Sequence, residues 1–249
     1  MTCLKVKKMQ LVIADFESTF TGYVHTISLI PIKIGQNGIT QQKGVLICIK
    51  DVIKNEIIKE NPDVRKKIAS SVIDVATYDL NIKYLNFIQS IEYMIDFVES
   101  HGGVIISHNL LGDLGFLTKT QDFVGGKRII KKKLKEYPDT GMYDKRWENI
   151  VKICSMSLLS NRCTKFNEHY INFSKSHDCC LTPGGYFSTK LENYSQFILE
   201  NPSYKQSHSA VQDTIDLINI LKSAVKYDGK NIFDGTNYIV KPEWRKAVL

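Results

Sequence analysis

The stretch Gln10-Leu11-Val12-Ile13-Ala14-Asp15-Phe16-Glu17-Ser18-Thr19 decides the fold. Gln10 to Ala14 is a short, continuous apolar run, the pattern of a strand buried on both faces. Asp15 and Glu17 stand two apart at its end. Successive strand residues point to opposite faces, so both carboxylates leave the sheet on the same side. Two hard oxygen donors side by side suit Mg²⁺ or Mn²⁺. Taken alone, an Asp-x-Glu is commonplace at strand ends.

Downstream, Thr26 to Ile34 and Gly44 to Ile49 are two further β-rich runs with the turn signal Gln36-Asn37-Gly38 between them. The three runs together read as an N-terminal meander. Asn61-Pro62 gives an N-cap followed by proline at the first helical position, which predicts a helix through about Val75. A second helix is expected from about Tyr84 to Ser100, with Phe87, Ile91, Met94, Ile95 and Val98 at helical spacing and Gly102-Gly103 as its stop. Val104 to Ser107 reads as a fourth strand, with a helix following from Leu114, and Val151 to Cys154 as a fifth strand. Gly125-Gly126 opens an irregular stretch to about Trp147, and residues 157–186 show no clear period. Thr189 to Leu199 looks helical. Ser209 to Val225 is a strong helix, and Ser209 with Gln212 fits a capping box. Strands first, then strands alternating with helices, predict an α/β protein whose mixed sheet is covered on both faces. The expectation is one domain over residues 1–249, with a core at about 9–225 and a tail, 226–249, packed on the surface.

Two more segments add chemistry to Asp15 and Glu17. His108-Asn109-Leu110-Leu111-Gly112-Asp113 follows the fourth strand, and Asp113 is expected to open the next helix, where the dipole favours an acid. His208-Ser209-Ala210-Val211-Gln212-Asp213 is the third segment. A spacing of five would splay His208 and Asp213 apart on one helix. With Ser209 as the cap, His208 lies in the loop and Asp213 on the helix, so the two can converge on one centre. Each segment alone has an ordinary explanation in caps and strand ends. All three occur in order, each at the end of a predicted element.

The segments ADFEST, SHNLLGDLGFL and HSAVQD together resemble the three exonuclease motifs of the DEDDh (DnaQ-like) family of the RNase H-like superfamily. The likeness runs from Leu11 to about Ala224. It implies an RNase H-like fold, a five-stranded mixed sheet in the order 3-2-1-4-5 with strand 2 antiparallel and helices on both faces. It implies two Mg²⁺ (or Mn²⁺) ions held by Asp15, Glu17, Asp113 and Asp213, with His208 as the base that takes a proton from the attacking water. The implied activity is 3′–5′ exonuclease hydrolysis of single-stranded DNA or RNA, releasing nucleoside 5′-monophosphates. Ser18, Thr19 and Phe20 match the family's pocket for the 3′-terminal nucleotide, with Phe20 near the place of an apolar wedge against the last base, and Asn109 matches the asparagine beside the site. The alternative is a nucleic-acid-binding or polymerase-associated accessory module on the same fold; the presence of all five site residues favours activity. A polymerase or a second copy of the chain is the candidate protein partner. Gly112 departs from the phenylalanine that often precedes the second-motif aspartate. The family's His-Gly-Ile-Thr stretch is missing from the region around residues 72–79, and residues 119–147 are longer than in minimal members.

Composition is compatible with this reading. The net charge is +7, and with the four acidic candidates set aside the remaining chain is more basic still, as suits a phosphodiester substrate. Lys131, Lys132 and Lys133, with Lys127, Arg128 and Lys135, form a basic segment that could track the phosphate backbone or simply face solvent. The hydrophobic fraction, 43%, is enough for a full core without a disulfide. The six cysteines follow no framework spacing and read as reduced thiols, and Cys163, His169, His177, Cys179 and Cys180 fit no standard zinc spacing. The apolar run near the start is broken by Asp15 and lacks a cleavage site, so no secretory signal is expected. No stretch approaches a membrane span. The protein is therefore expected to be intracellular, with cytoplasm and nucleus not distinguished.

Overall fold

The computed structural model describes residues 9–55, 61–124, 145–233 and 238. In chain order the elements are β1 (Met9–Ser18), β2 (Val24–Gly35), β3 (Gly38–Gln41), β4 (Val45–Ile49), α1 (Lys50–Ile53), α2 (Pro62–Thr77), β5 (Asn81–Leu85), α3 (Phe87–Ser100), β6 (Val104–Ser107), α4 (Leu110–Val124), α5 (Lys145–Asn149), β7 (Val151–Cys154), α6 (Ser155–Arg162), α7 (Thr164–Ser176), α8 (Leu191–Ile198) and α9 (Ala210–Asp228). A one-turn 3₁₀ helix, Lys230–Ile232, follows.

The seven strands form one mixed sheet in the order β5-β4-β2-β1-β6-β7, with β3 also on β2. β2 runs antiparallel to β1, β3 and β4, while the pairs β1–β6, β6–β7 and β4–β5 are parallel. The expectation of five strands undercounts for two reasons. First, β3 lies on the same edge of β2 as β4, β3 against Ile32–Gly35 and β4 against Thr26–Leu29. β3 is an unexpected strand, and a break at residues 42–44 separates it from β4, which is the predicted run Gly44 to Ile49. Gly44 stands at the break, where a Cβ would meet the Leu29 carbonyl oxygen at 2.5 Å. Second, β5 is an unexpected strand, and its last two residues, Tyr84 and Leu85, fall where the second helix is expected to begin. It is an edge strand whose residues are exposed or half-buried, so it lacks the apolar alternation that marks a strand. The helix that follows begins at Phe87 instead, behind a full capping box made by Asn86 and Gln89.

β1 is central because both of its faces are covered. Leu11 and Ile13 pack with Ile30, Ile32, Leu217, Ile218 and Leu221 on one face. Val12 and Ala14 pack with Leu29, Phe87, Ile91 and Leu117 on the other. All four β1 residues are fully buried, which explains an apolar run without alternation. α9 therefore lies on the face of β1 that carries Leu11 and Ile13, and by period two this is the face of Asp15 and Glu17.

Other boundaries moved. α4 starts at Leu110, so Asp113 is its fourth residue and not its opening one. α9 starts at Ala210 with Ser209 as N-cap, but only half of the predicted capping box forms: Gln212 turns its side chain to Asp216 and Tyr78. The stretch without a clear period folds into α6 and α7. Of the expected surface tail, Lys226 to Asp228 complete α9, and Tyr238 bridges to Ile153 of β7. Residues 229–233 hold the 3₁₀ turn and bury Ile232 and Phe233 in the core rather than on the surface. Residues 234–237 and 239–249, and the basic segment with Lys131, Lys132 and Lys133, lie outside the described residues. Among the described residues no helix is long and apolar enough to cross a membrane.

Candidate active site

The carboxylates meet where β1, α4 and α9 end or begin. Past Glu17 the β1–β2 register slips, with Glu17 opposite Thr26 and Ser18 opposite Val24, so His25 is the extra residue of a bulge. Burial first, and the nearby Lys67 charge second, hold the His25 imidazole down at about 3, so it stays neutral. α9 delivers Asp213 in its first turn, beneath the Ser209 cap. His208, just before that cap, has φ 54, a left-handed conformation uncommon outside glycine. One ligand atom from each of Glu17, His208 and Asp213 lies within 4.8 Å of the others. Glu17 and Asp213 are buried, and His208 is exposed.

Asp15 and Asp113 flank this trio. Asp113 accepts a short hydrogen bond from the hydroxyl of Ser107, at the end of β6, and Ala14 of β1 pairs with that same serine. Asp113 is pushed up to about 8 from 3.8, by burial first and then by Glu17, with the Ser107 hydrogen bond opposing. Asp213 is likewise pushed up to about 8, by burial and then by Glu17, while Gln206, donating to it at 2.6 Å, pulls the other way. Asp15 is raised well above the usual carboxylate range by burial and then by Asp213, Glu17 and Asp113. The cluster is thus a buried set of like charges that holds protons near neutrality.

A stability consequence follows. Asp113 and Asp213 keep protons in the folded protein that the unfolded chain has released above 3.8. Their raised values therefore contribute stability that is fully present below the unfolded value and is lost as pH rises to about 8. In excess chelator, the melting temperature should fall across that window. A double variant, Asp113→Asn with Asp213→Asn, should show a flatter profile in calorimetric scans. A wild-type profile as flat as that of the variant would contradict the electrostatic account.

The donor set suits a hard divalent cation. Asp15 Oδ2 and Asp213 Oδ1 are buried and have no hydrogen-bond partner. An orphaned buried carboxylate oxygen is costly unless protonated or paired with a cation. Asp15, Glu17, Asp113 and Asp213 could hold such ions, with His208 at the exposed edge.

The neighbouring residues divide by what they touch. Thr19 is buried, and its hydroxyl accepts from the Tyr23 backbone at 3.0 Å, so it holds the turn between β1 and β2. Phe20 is fully exposed, at 102%, which removes core packing as its role. Ser18, Thr19 and Phe20 line a groove of ≈ 440 Å³ together with Lys66, Lys67 and Ser70 of α2 and with His208. Asn109 is exposed, with φ 66 at the entry to α4. Its amide lies so close to Gly112 that a Cβ there would sit 2.5 Å from Nδ2. A larger residue at 112 would push the Asn109 side chain aside. His108, by contrast, is a structural tie. Its Nε2–H donates to the Thr189 carbonyl at 2.8 Å, its Nδ1 accepts from Ser155 at 3.0 Å, and burial lowers it to about 4.

Two residues at the site carry no sequence signal as strong as the motifs. Lys67 donates to Glu17 Oε2 at 2.8 Å from α2. Gln206 had one available clue, its place two residues before His208. No family model matches this chain, and no curated protein matches it.

Proposed function

We propose that this protein is a metal-dependent 3′–5′ exonuclease of the DEDDh type. The observation that carries the reading is the convergence of Glu17, Asp213 and His208 within 4.8 Å, with Asp15 and Asp113 close enough to repel them. The sheet adds support. Five of its seven strands, β4-β2-β1-β6-β7, follow the order 3-2-1-4-5 with the second antiparallel to its neighbours, as an RNase H-like core requires. β3 and β5 are then additions to that core.

Two Mg²⁺ or Mn²⁺ ions, when bound, supply charge to offset the developing negative charge at phosphorus and at the leaving oxygen. Asp15, Glu17, Asp113 and Asp213 are the residues that would hold them. His208 accepts the proton of the attacking water, from a loop position that leaves its ring open to the groove. The Ser18–Phe20 wall receives the terminal nucleotide, with the exposed Phe20 ring free to stack on a base. Single-stranded DNA or RNA is the substrate class, and nucleoside 5′-monophosphates are the products.

Digestion of 3′-labelled and 5′-labelled DNA and RNA oligomers, in Mg²⁺ and in chelator, tests the reading. Label should be released first from the 3′ end, and a circular single strand should survive where its linear form is degraded. Cutting of the circle would make the protein an endonuclease. Binding of the linear strand without cleavage in any divalent ion would make it an accessory module.

A further inference from the structure

Lys67 holds Glu17 by a 2.8 Å ion pair in which the glutamate side chain is 8% exposed and the lysine 30%. The same lysine lines the groove together with Ser18, Thr19 and Phe20. Its charge also reaches Asp15, where it counters the repulsion of the other carboxylates. This ammonium thus acts on two of the four acids, Glu17 by contact and Asp15 at longer range, while Asp15 and Asp213 each keep an orphaned buried oxygen.

α2 itself is anchored. Ser209, the cap of α9, donates to Asp74, the Ala210 backbone donates to Ser71 at 3.2 Å, and Tyr78 donates to Gln212 at 2.7 Å. Any change of partner by Lys67 therefore falls to its four-carbon stem, since the helix is tied to the element that carries Asp213. A lysine head is a point charge with rotatable donors and no fixed fork, so it can leave a carboxylate for a phosphate without a geometric match.

We infer that Lys67 is an exchangeable counter-ion: it neutralises Glu17 in the metal-free protein and, displaced by divalent cations, becomes a phosphate contact in the groove. The inference rests on the proposed function above and goes beyond it. Divalent ions compete for the Glu17 oxygen and repel the ammonium, so ion pair and ion cannot both be kept at full strength. The displaced head has the groove beside it, where a nucleic-acid strand brings negative charge. Metal binding and strand binding are thereby coupled through one side chain, and the coupling is reciprocal.

The test is calorimetric titration of the full chain with Mn²⁺ alone, in wild type, Lys67→Met and Lys67→Arg. Methionine keeps helix propensity and the length of the stem. Lys67→Met should bind Mn²⁺ more tightly, on the order of tenfold, the usual worth of a charge-assisted hydrogen bond that no longer competes. Lys67→Arg should stay near wild type. A lysine with only a structural role would give weaker or unchanged metal binding on removal, and either result overturns the exchange. In Ca²⁺, Lys67→Met should bind a single-stranded oligonucleotide more weakly, with a salt slope smaller by roughly 0.7. An unchanged slope overturns the phosphate contact. Wild type that binds no Mn²⁺ would sink the functional reading itself, whereas wild type that binds Mn²⁺ with the same affinity as Lys67→Met would sink only the role of Lys67.

Discussion

Asp213→Asn should abolish turnover and at the same time make the metal-free fold more stable. The loss should reach at least about 10³-fold, at or beyond the cost of deleting one hydrogen-bond donor from an active site. Asp213 is buried, one of its oxygens has no partner, and Glu17 repels it. An amide keeps the shape and the Gln206 contact, and it removes a charge from a cluster that resists carrying several. The melting temperature in chelator should therefore rise above that of wild type, and Mn²⁺ binding should weaken in calorimetry. Asp15→Asn should behave alike, because Asp15 Oδ2 is also orphaned. A variant that keeps wild-type turnover, or a wild type that turns over fully in excess chelator, would remove the metal site from the mechanism. Function held at the expense of stability is common where catalysis needs like charges together.

His208→Ala should lower turnover by about 10²- to 10⁴-fold, the usual worth of a positioned general base. The ring lies within 4.8 Å of a ligand atom of both Glu17 and Asp213, so it could serve as a ligand instead. Two measurements separate these roles. If His208 is the base, Mn²⁺ affinity of the variant stays near wild type, and oligonucleotide affinity in Ca²⁺ does too. If it is a ligand, metal affinity falls with turnover. The residue is exposed, so free imidazole in the medium should restore part of the lost rate. Full turnover in His208→Ala would show that another group activates the water, and the DEDDh assignment would fail with it.

The central strand was legible because Leu11 to Ala14 are apolar without interruption, and burial on both faces demands that. Val104 to Ser107 was legible for the same reason. Val151 to Cys154 was read correctly although Lys152 interrupts it, a lysine buried with its ammonium donating to the Trp147 and Ile150 carbonyls. β5 was not. Its residues lie at the sheet edge, where pairing with β4 on one side decides the conformation and no core selects the side chains. The start of α4 was placed at Asp113 although Asn109, a preferred cap residue type, directly precedes Leu110; its left-handed φ of 66 differs from the extended backbone of an ordinary cap. At the site, Asp15, Glu17, Asp113, His208 and Asp213 were named because each stands at the end of an element in a known order. Lys67 could not be, because nothing local marks it among Arg65, Lys66 and Lys67. Only the packing of α2 against α9 selects the one that reaches Glu17. Gln206 was missed because its role depends on the loop path before the Ser209 cap.

The ties between α2 and α9 join residues that are far apart along the chain: Ser71, Asp74 and Tyr78 on one side, Ser209, Ala210 and Gln212 on the other. The acid cluster has the same property, since its members run from Asp15 to Asp213. No contiguous fragment that stops before α9 can contain it. During synthesis from the N-terminus, β1 emerges with its two carboxylates long before the helix that completes the set. Closing so long a loop carries an entropic cost that grows only slowly with length, but it must be met before any of these contacts can repay it. The acid cluster is therefore assembled only after α9 has been made, and a ribosome-bound portion lacking α9 carries the strand without the cluster.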